Sequence, residues 1–385
     1  MNIFGTSFNY EERLRKVRKL MGQLDLDCIL VHKWTNQYYM SGVYQHLPWY
    51  PDCHSFPTEA PLILFKEAPP VFLCAYLTFN AVKEGEWVKD VRAFDRGSKL
   101  SVYEYIAQVL KEKGVEGGKI GIEQDCCTVS TFQKLQAVLP KAQFKHALDV
   151  FYFVRVIKEP EEIELIKEAV AIGEAGMKVA MDTAKVGVSE MEVQRAAELE
   201  MKRRGGVREL ETMCQSGIRT ANFRSFASVW KKIEQNDLVM ADLGTVYKGY
   251  GCDITRTWVV GKPTAEQKKI ANDLYKVHEK LLAFIKPGLK YYEVHDFARD
   301  EFTKLGYPAD KLLSPCYTLS LHGIGVGPFH DPPDFEHREI VLEPGMVLSV
   351  QPAVRHEKFT IRFEDDALLT PKGLELISKF PRELI

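Results

Sequence analysis

Hydrophobic and polar positions form two different patterns along the first 150 residues. Amphipathic stretches at 10–24 and near 101–113 have the 3.6-residue period of helices. Short apolar runs bounded by Pro, Gly or charged residues are typical of buried strands, and four of them lie at 27–31, 61–65, 70–74 and 119–122. Helices interleaved with short buried strands predict a compact α/β domain over residues 1–156.

A second domain is predicted over residues 157–385, because a chain of 385 residues exceeds the size at which one hydrophobic core keeps growing. It begins in the segment VRVIKEPEEIELIKEA, where Pro160 suits the first turn of a long helix since its missing N–H would be unpaired there in any case. Helical patterns come first in this part and strand patterns follow, which favours an α+β domain.

The second domain contains an internal repeat. The segments that begin at Gly187 and Gly288 share Glu-Val at the fifth and sixth following positions, Ala at the tenth and Glu at the thirteenth. Ser189 and Glu192 form a capping box, which marks a helix start. Each half continues to an apolar run, a polar residue and a hairpin, LVMADLGTVYKGYGCDITRTWVVG and then VLSVQPAVRHEKFTIRFEDDALL. The repeat predicts two αβ halves related by a pseudo-twofold axis.

Alignment of the two halves makes Gln351 the counterpart of Asp242, and Glu364 the counterpart of Asp253. Pairing of the hairpin strands would bring the two aspartates together, with Glu364 beside them by pseudo-symmetry. Buried carboxylates repel one another unless they are protonated, hydrogen-bonded or bridged by cations. A divalent cation such as Mn, Co, Fe or Zn is the simplest remedy. The alternative is that each acid ends its strand at the surface.

Histidines flank the glycine-rich segment LHGIGVGPFHDPP, whose glycines at 323, 325 and 327 let the backbone pass close to a site. We expect His322 to ligate a metal, and His330 to act as acid, base or electrophile on the substrate. A purely structural role for either histidine is the alternative.

Composition and charge indicate which kinds of partner and which cellular compartment to expect. A net charge of −2 gives no electrostatic reason to expect nucleic acid or an anionic membrane surface, so a small-molecule or dipeptide substrate fits better. No apolar run approaches the roughly 20 residues that cross a bilayer, and the N-terminus has no signal-peptide pattern. The eight cysteines show no C-x-x-C spacing. We therefore expect a cytoplasmic protein.

The motifs LVMADLG, GYGCDITRT, LHGIG, LEPGMVLSVQP and IRFED, in this order, resemble those of the creatinase, prolidase, aminopeptidase P and methionine aminopeptidase family. The resemblance implies the pita-bread fold for the second domain and a two-metal centre. Its implied ligands are Asp242, Asp253, His322 and Glu364, of which Asp253 and Glu364 would bridge the ions. The last motif adds Arg362 to the catalytic candidates.

Three positions depart from the family pattern. Gln351 stands where the peptidases have a glutamate, and its amide oxygen can coordinate a metal but cannot accept a catalytic proton. Arg224 stands where a substrate-side histidine is usual, and its guanidinium suits the binding of a substrate carboxylate. His322 and His330 are eight residues apart where seven is usual. The missing carboxylate predicts weaker binding of two ions.

These observations leave three hypotheses for function. The first is a metal-dependent hydrolase of a peptide or amide C–N bond, similar to Xaa-Pro dipeptidase, with Gln351 as a neutral ligand and catalytic residue. The second is a creatinase-like hydrolase or lyase that uses no metal, in which Glu364 and His330 move protons and Arg224 binds a carboxylate. The third is a non-catalytic binding protein of the same fold. The resemblance also implies a homodimer, in which the aromatic loop 43–57 would border the partner's active site.

Overall fold

The computed structural model describes residues 8–43, 60–85, 87–95, 97, 99–222, 226–307, 321–326 and 339–382. Two of the predicted site residues, Arg224 and His330, lie outside these ranges, as does the aromatic loop after Val43. The chain divides into two compact units, Met1–Val154 and Arg155–Ile385. Within the described ranges, no helix is both long enough and apolar enough to cross a membrane.

The first unit is built around a six-stranded mixed sheet. Its strand order is β4-β3-β2-β1-β5-β6, in which β1–β2 and β2–β3 are antiparallel and the other neighbours are parallel. The elements up to residue 155 are α1 (Tyr10–Gln23), β1 (Cys28–Val31), α2 (Trp34–Ser41), β2 (Leu62–Phe65), β3 (Val71–Ala75), a 3-10 turn (Tyr76–Thr78), α3 (Phe79–Lys83), β4 (Asp90–Phe94), α4 (Val102–Glu112), β5 (Lys119–Ile122), α5 (Val129–Val138), β6 (Gln143–His146) and α6 (Leu148–Arg155).

Local signals explain where these elements lie. The Ser101 hydroxyl accepts a hydrogen bond from the Glu104 amide, and the Glu104 carboxylate accepts one from the Ser101 amide, so the predicted helix begins there. The apolar side of α4, including Ile106 and Leu110, packs into a core with strand residues such as Ile120. The central strands β1 and β2 are short continuous apolar runs that are buried along their whole length, as expected for strands covered on both faces of a sheet.

The second unit has the predicted order of helices before strands, twice. Its elements are α7 (Pro160–Thr183), α8 (Glu190–Arg203), β7 (Arg208–Ser216), a 3-10 turn (Gly217–Ala221), β8 (Leu238–Tyr247), β9 (Tyr250–Val259), α9 (Ala265–Phe284), α10 (Tyr291–Lys304), β10 (Leu321–Gly323), β11 (Val347–Val350), β12 (Ala353–Arg355), β13 (Thr360–Arg362), β14 (Asp365–Thr370) and β15 (Gly373–Leu376). The long helix begins at Pro160, as predicted.

The two repeat segments adopt equivalent local structures. Gly187 and Gly288 both have left-handed backbone angles, φ +89° and +91°, which favour glycine. In the helices that follow, Glu192 accepts a hydrogen bond from the Ser189 amide at 2.8 Å, and Glu293 accepts one from the Lys290 amide at 2.6 Å. The shared Val and Ala positions, Val193, Ala197, Val294 and Ala298, are completely buried. The internal repeat is therefore a repeat of structure.

Helix packing on one side of the strands directs the polar residues to the other side. A side chain added at Gly173 on α7 would lie 2.9 Å from the Cys252 sulfur, so this helix packs closely on β9. Because side chains alternate along a strand, Asp253 and Thr255 point away from the helix. In the second half, Leu348 and Val350 of β11 belong to the core that includes α9 and α10. Ser349, between them, points the opposite way.

Candidate metal centre and active site

The first hairpin contributes two buried aspartates. β8 and β9 pair with Asp242 opposite Thr255 and Gly244 opposite Asp253, so both carboxylates lie on one face, one diagonal apart. Burial raises the pKa of Asp242, and it raises the pKa of Asp253 further, since Glu364 and Asp242 add charge repulsion there. This pair requires a positive neighbour or a proton.

Glu364 joins the two halves of the unit at this face. Its amide donates to the Thr255 carbonyl at 3.1 Å, in an isolated antiparallel bridge. Its carboxylate is completely buried and accepts hydrogen bonds from Thr255 Oγ1 at 2.6 Å and from Ser349 Oγ at 3.0 Å. Both hydroxyls therefore fix the carboxylate orientation.

His322 completes a cluster of three potential ligands. β10 pairs with β11, which places His322 opposite Ser349. Its Nε2 lies 3.1 Å from Glu364 Oε1 and 3.3 Å from Asp253 Oδ2. One ligand atom from each of the three residues lies within 4.8 Å of the others. The following glycine segment runs against β9, where Gly325 accepts a hydrogen bond from the Gly251 amide at 3.0 Å.

The surroundings of the imidazole fit a bound cation. Nδ1 lies 3.1 Å from the Gly323 carbonyl oxygen, and Nε2 faces two carboxylates. A neutral imidazole has one ring proton, which cannot serve oxygens at both nitrogens. If Nδ1–H donates to the carbonyl, the Nε2 lone pair and two carboxylate oxygens converge on one point. One imidazole and two carboxylates form a donor set for Mn, Fe, Co or Zn, so these residues fit a divalent ion.

Arg362 lies on the other side of Glu364. Its Nη1 donates to Asp242 Oδ2 at 2.6 Å, and its Nη2 lies 2.7 Å from Glu364 Oε2 and donates to Gln351 Oε1. Burial alone would raise the pKa of Glu364, but the Arg362 charge, together with His322 and the Thr255 hydroxyl, outweighs burial and lowers that pKa to about 2. The carboxylates in turn outweigh the burial of Arg362 and raise its pKa.

Further buried ionisable side chains bind the backbone of the site. Asp366 accepts a hydrogen bond from the Asp253 amide at 2.9 Å, and burial raises the pKa of Asp366 to about 8. Arg256 donates to the Glu364 carbonyl oxygen at 2.7 Å and to Asp365 Oδ1 at 2.6 Å. These contacts fix the backbone at Asp253 and at Glu364.

All five predicted metal-site residues lie in one buried cluster, in two groups. Three of them, Asp253, His322 and Glu364, converge on one point, whereas Asp242 and Gln351 face the Arg362 guanidinium. Sequence reasoning did not identify Thr255, Ser349, Asp366 and Arg256 as parts of the site. Thr255 carried a signal, because it is two residues from Asp253 and therefore shares its face.

Comparisons with known proteins agree with this architecture. Residues 164–371 match metallopeptidase family M24, and residues 13–157 match the creatinase/prolidase N-terminal domain. An Xaa-Pro dipeptidase of Pyrococcus horikoshii is 30% identical over 97% of this chain and 99% of its own length. One of Lactobacillus helveticus is 30% identical over 84% of this chain and 87% of its own. The solved Xaa-Pro dipeptidase from Bacillus anthracis has a TM-score of 0.86 at 28% identity, covering 98% of this chain and 99% of that one.

These likenesses confirm the predicted fold, an α/β N-terminal domain followed by an α+β pita-bread domain with a pseudo-twofold internal repeat. They also confirm the family resemblance that the motifs carried. By its M24 match over more than half its length, and by its 30% identity to relatives of the same length, the chain belongs to metallopeptidase family M24.

Proposed function

We propose that this protein is a metal-dependent peptidase that hydrolyses Xaa-Pro dipeptides, cleaving the C–N bond between the first carbonyl and the proline nitrogen. The observation that carries the proposal is the buried cluster of Asp253, His322 and Glu364, whose ligand atoms converge. Similarity to Xaa-Pro dipeptidases over nearly the whole chain supports the substrate class.

The proposed ligands are Asp253, His322 and Glu364, and the ion is Mn, Co, Fe or Zn. Such an ion would polarise the scissile carbonyl and lower the pKa of water, so that hydroxide is available near neutral pH. The hydroxyls of Thr255 and Ser349 hold Glu364 in place. A hydrogen-bond partner of this kind keeps a metal ligand oriented before the ion binds.

Proton transfer and substrate binding are assigned to other residues. Gln351 has no proton-accepting group, so we propose that His330 carries protons to and from the substrate. Arg362 helps to keep Glu364 ionised and donates a hydrogen bond to Asp242. We propose that Arg224 binds the C-terminal carboxylate of the dipeptide through its planar fork of donors.

Hydrolysis of dipeptides tests the proposed activity. Chelator-stripped protein should release proline from Ala-Pro only after Mn²⁺ or Co²⁺ is restored, and Ala-Ala should be a poorer substrate. Hydrolysis that continues at an unchanged rate in EDTA would favour the creatinase-like alternative without metal. The absence of hydrolysis with every ion and dipeptide would contradict the proposal.

A matched pair of substrates tests Arg224. Arg224→Ala should raise the KM for Ala-Pro by at least about tenfold, since a charge-assisted hydrogen bond contributes roughly 1.5–3 kcal/mol. The KM for Ala-Pro-amide, which lacks the carboxylate, should not change. Equal changes for both substrates would contradict carboxylate binding.

We also propose that residues 1–156 and 157–385 are the two domains, that the protein is a cytoplasmic homodimer, and that the loop 43–57 borders the partner's active site. The six cysteines of the described ranges, all unpaired, are in keeping with a reducing compartment. Sedimentation of the purified protein tests the assembly, and a monomer at micromolar concentration would contradict it.

A further inference from the structure

The guanidinium of Arg362 lies among the oxygens that a second cation would need as ligands. It contacts one oxygen from each of three residues, Asp242, Glu364 and Gln351. Arg362 is 3% exposed, and all three partners are buried. A guanidinium with well-formed partners on both of its Nη groups is held in one orientation. The oxygens of Asp242 and Gln351 therefore already face a positive charge that belongs to the chain.

The backbone also keeps Arg362 in this position. Thr257 Oγ1 donates to the Arg362 carbonyl oxygen at 2.9 Å and accepts from the Arg362 amide at 3.1 Å. Residues 360–362 pair with 353–355, where Ala353 lies opposite Arg362. A side chain anchored at both its backbone and its tip would have to break several buried contacts to leave room for an ion.

Charge arithmetic leads to the same result. The carboxylates of Asp242, Asp253 and Glu364 with the guanidinium leave a net charge of −2, which one divalent ion neutralises. A second divalent ion would leave uncompensated positive charge in a buried cluster, which is costly. A glutamate at position 351 would supply one more negative charge, but Gln351 supplies none.

We propose that the centre holds a single divalent ion on Asp253, His322 and Glu364, and that the Arg362 guanidinium, held by Asp242 and Gln351, takes the place of a second ion. This inference rests on the proposed function in taking the centre to bind a metal. It goes further by assigning Asp242 and Gln351 to the arginine, not to the ion.

Metal counting on the full chain tests the inference. Chelator-stripped protein is dialysed against Mn²⁺ alone, and bound manganese is measured by mass spectrometry. The wild type should saturate at one ion per chain. Asp242→Asn should also saturate at one ion, with an affinity that falls because the cluster loses one negative charge, but by less than the loss of a ligand causes. His322→Ala should weaken binding at least about a hundredfold, because it removes a ligand. The double variant Gln351→Glu/Arg362→Met should saturate at two ions.

Three results would overturn the inference: two ions on the wild type, loss of the ion in Asp242→Asn, or one ion on a folded double variant. Electron paramagnetic resonance of the manganese-loaded wild type needs no variant. An isolated-ion spectrum is expected, and the spectrum of an exchange-coupled pair would overturn the inference. Ala-Pro hydrolysis in the same samples separates the two proposals. One ion without hydrolysis would contradict only the function, and hydrolysis with two ions would contradict only the inference.

Discussion

The two halves of the second unit start alike and end differently. In the first half, β8 and β9 pair without interruption over ten residues each and present two aspartates from one rigid hairpin. In the second half, the corresponding chain is divided among β11 to β14, and Gln351 and Glu364 lie between strands. The second half also contributes a cation, Arg362, to the same cluster.

The difference shows how a repeated fold can supply unlike chemistry. A continuous ladder uses the backbone groups of β8 and β9 for one another. The break after Arg362 frees the Glu364 amide to bond the Thr255 carbonyl oxygen, which joins the halves. The first half thus supplies two fixed negative charges, and the second half supplies one charge of each sign and a neutral amide.

The largest effect should follow from removing the histidine of the second half. His322→Ala should lower kcat/KM for Ala-Pro by at least roughly a thousandfold, since a metal ion stabilises a transition state by several kcal/mol. His356→Ala is the matched control, because His356 contacts Glu266 outside the cluster. Residual activity within tenfold of the wild type would contradict a role for His322 as ligand.

Replacement of Arg362 should leave the buried carboxylates of the cluster without a positively charged neighbour. Arg362→Met should reduce the free energy of unfolding by roughly 3–5 kcal/mol, because it leaves buried carboxylates uncompensated. Added Mn²⁺ should raise the free energy of unfolding of Arg362→Met by more than it raises that of the wild type. Urea unfolding measures both. Arg15→Met, at an exposed pair with Glu12, is the control and should have no measurable effect.

The folding stability should depend on pH because the second half contains a buried histidine, His278. Burial lowers the pKa of His278 to about 4, although Asp365 opposes the shift. Between pH 6.5 and 4 the unfolded chain takes up a proton that the folded chain does not, so stability falls as the pH falls through this window. The loss should reach about 3 kcal/mol. His278→Asn should flatten the slope, and the exposed control His146→Asn should keep it.

The smallest effect concerns the hydroxyls that orient Glu364. Thr255→Val and Ser349→Ala should each weaken Mn²⁺ binding roughly tenfold to a hundredfold, as is usual when the hydrogen-bond partner of a metal ligand is lost. Thr370→Val is the control, because its hydroxyl donates to Gly373 in a turn between β14 and β15. Unchanged affinity in both variants would show that the backbone alone positions Glu364.

The sequence predicted much of the fold because its signals are local. Pro160 and the Ser189 capping box marked helix starts that the structure contains. The repeat correctly marked two equivalent helix starts, since the glycine geometry and the buried Val and Ala positions recur in both halves.

The partners of Arg362 could not be predicted in the same way. Its contact with Asp242 joins residues 120 positions apart. Strand alternation shows only that Arg362 and Glu364 share a face. Which oxygens the guanidinium reaches depends on how two separate hairpins pack, and charge counting on the sequence did not include it. The amide at Gln351 therefore had no visible partner until the strands were in place.

The most direct test of the account is a titration of the stripped wild-type protein with Mn²⁺, in which Ala-Pro hydrolysis is measured against bound ions per chain. We predict activity that is absent without metal, rises in proportion to bound manganese and reaches its plateau at one ion per chain. Full activity without metal, or activity that appears only as a second ion binds, would contradict the account.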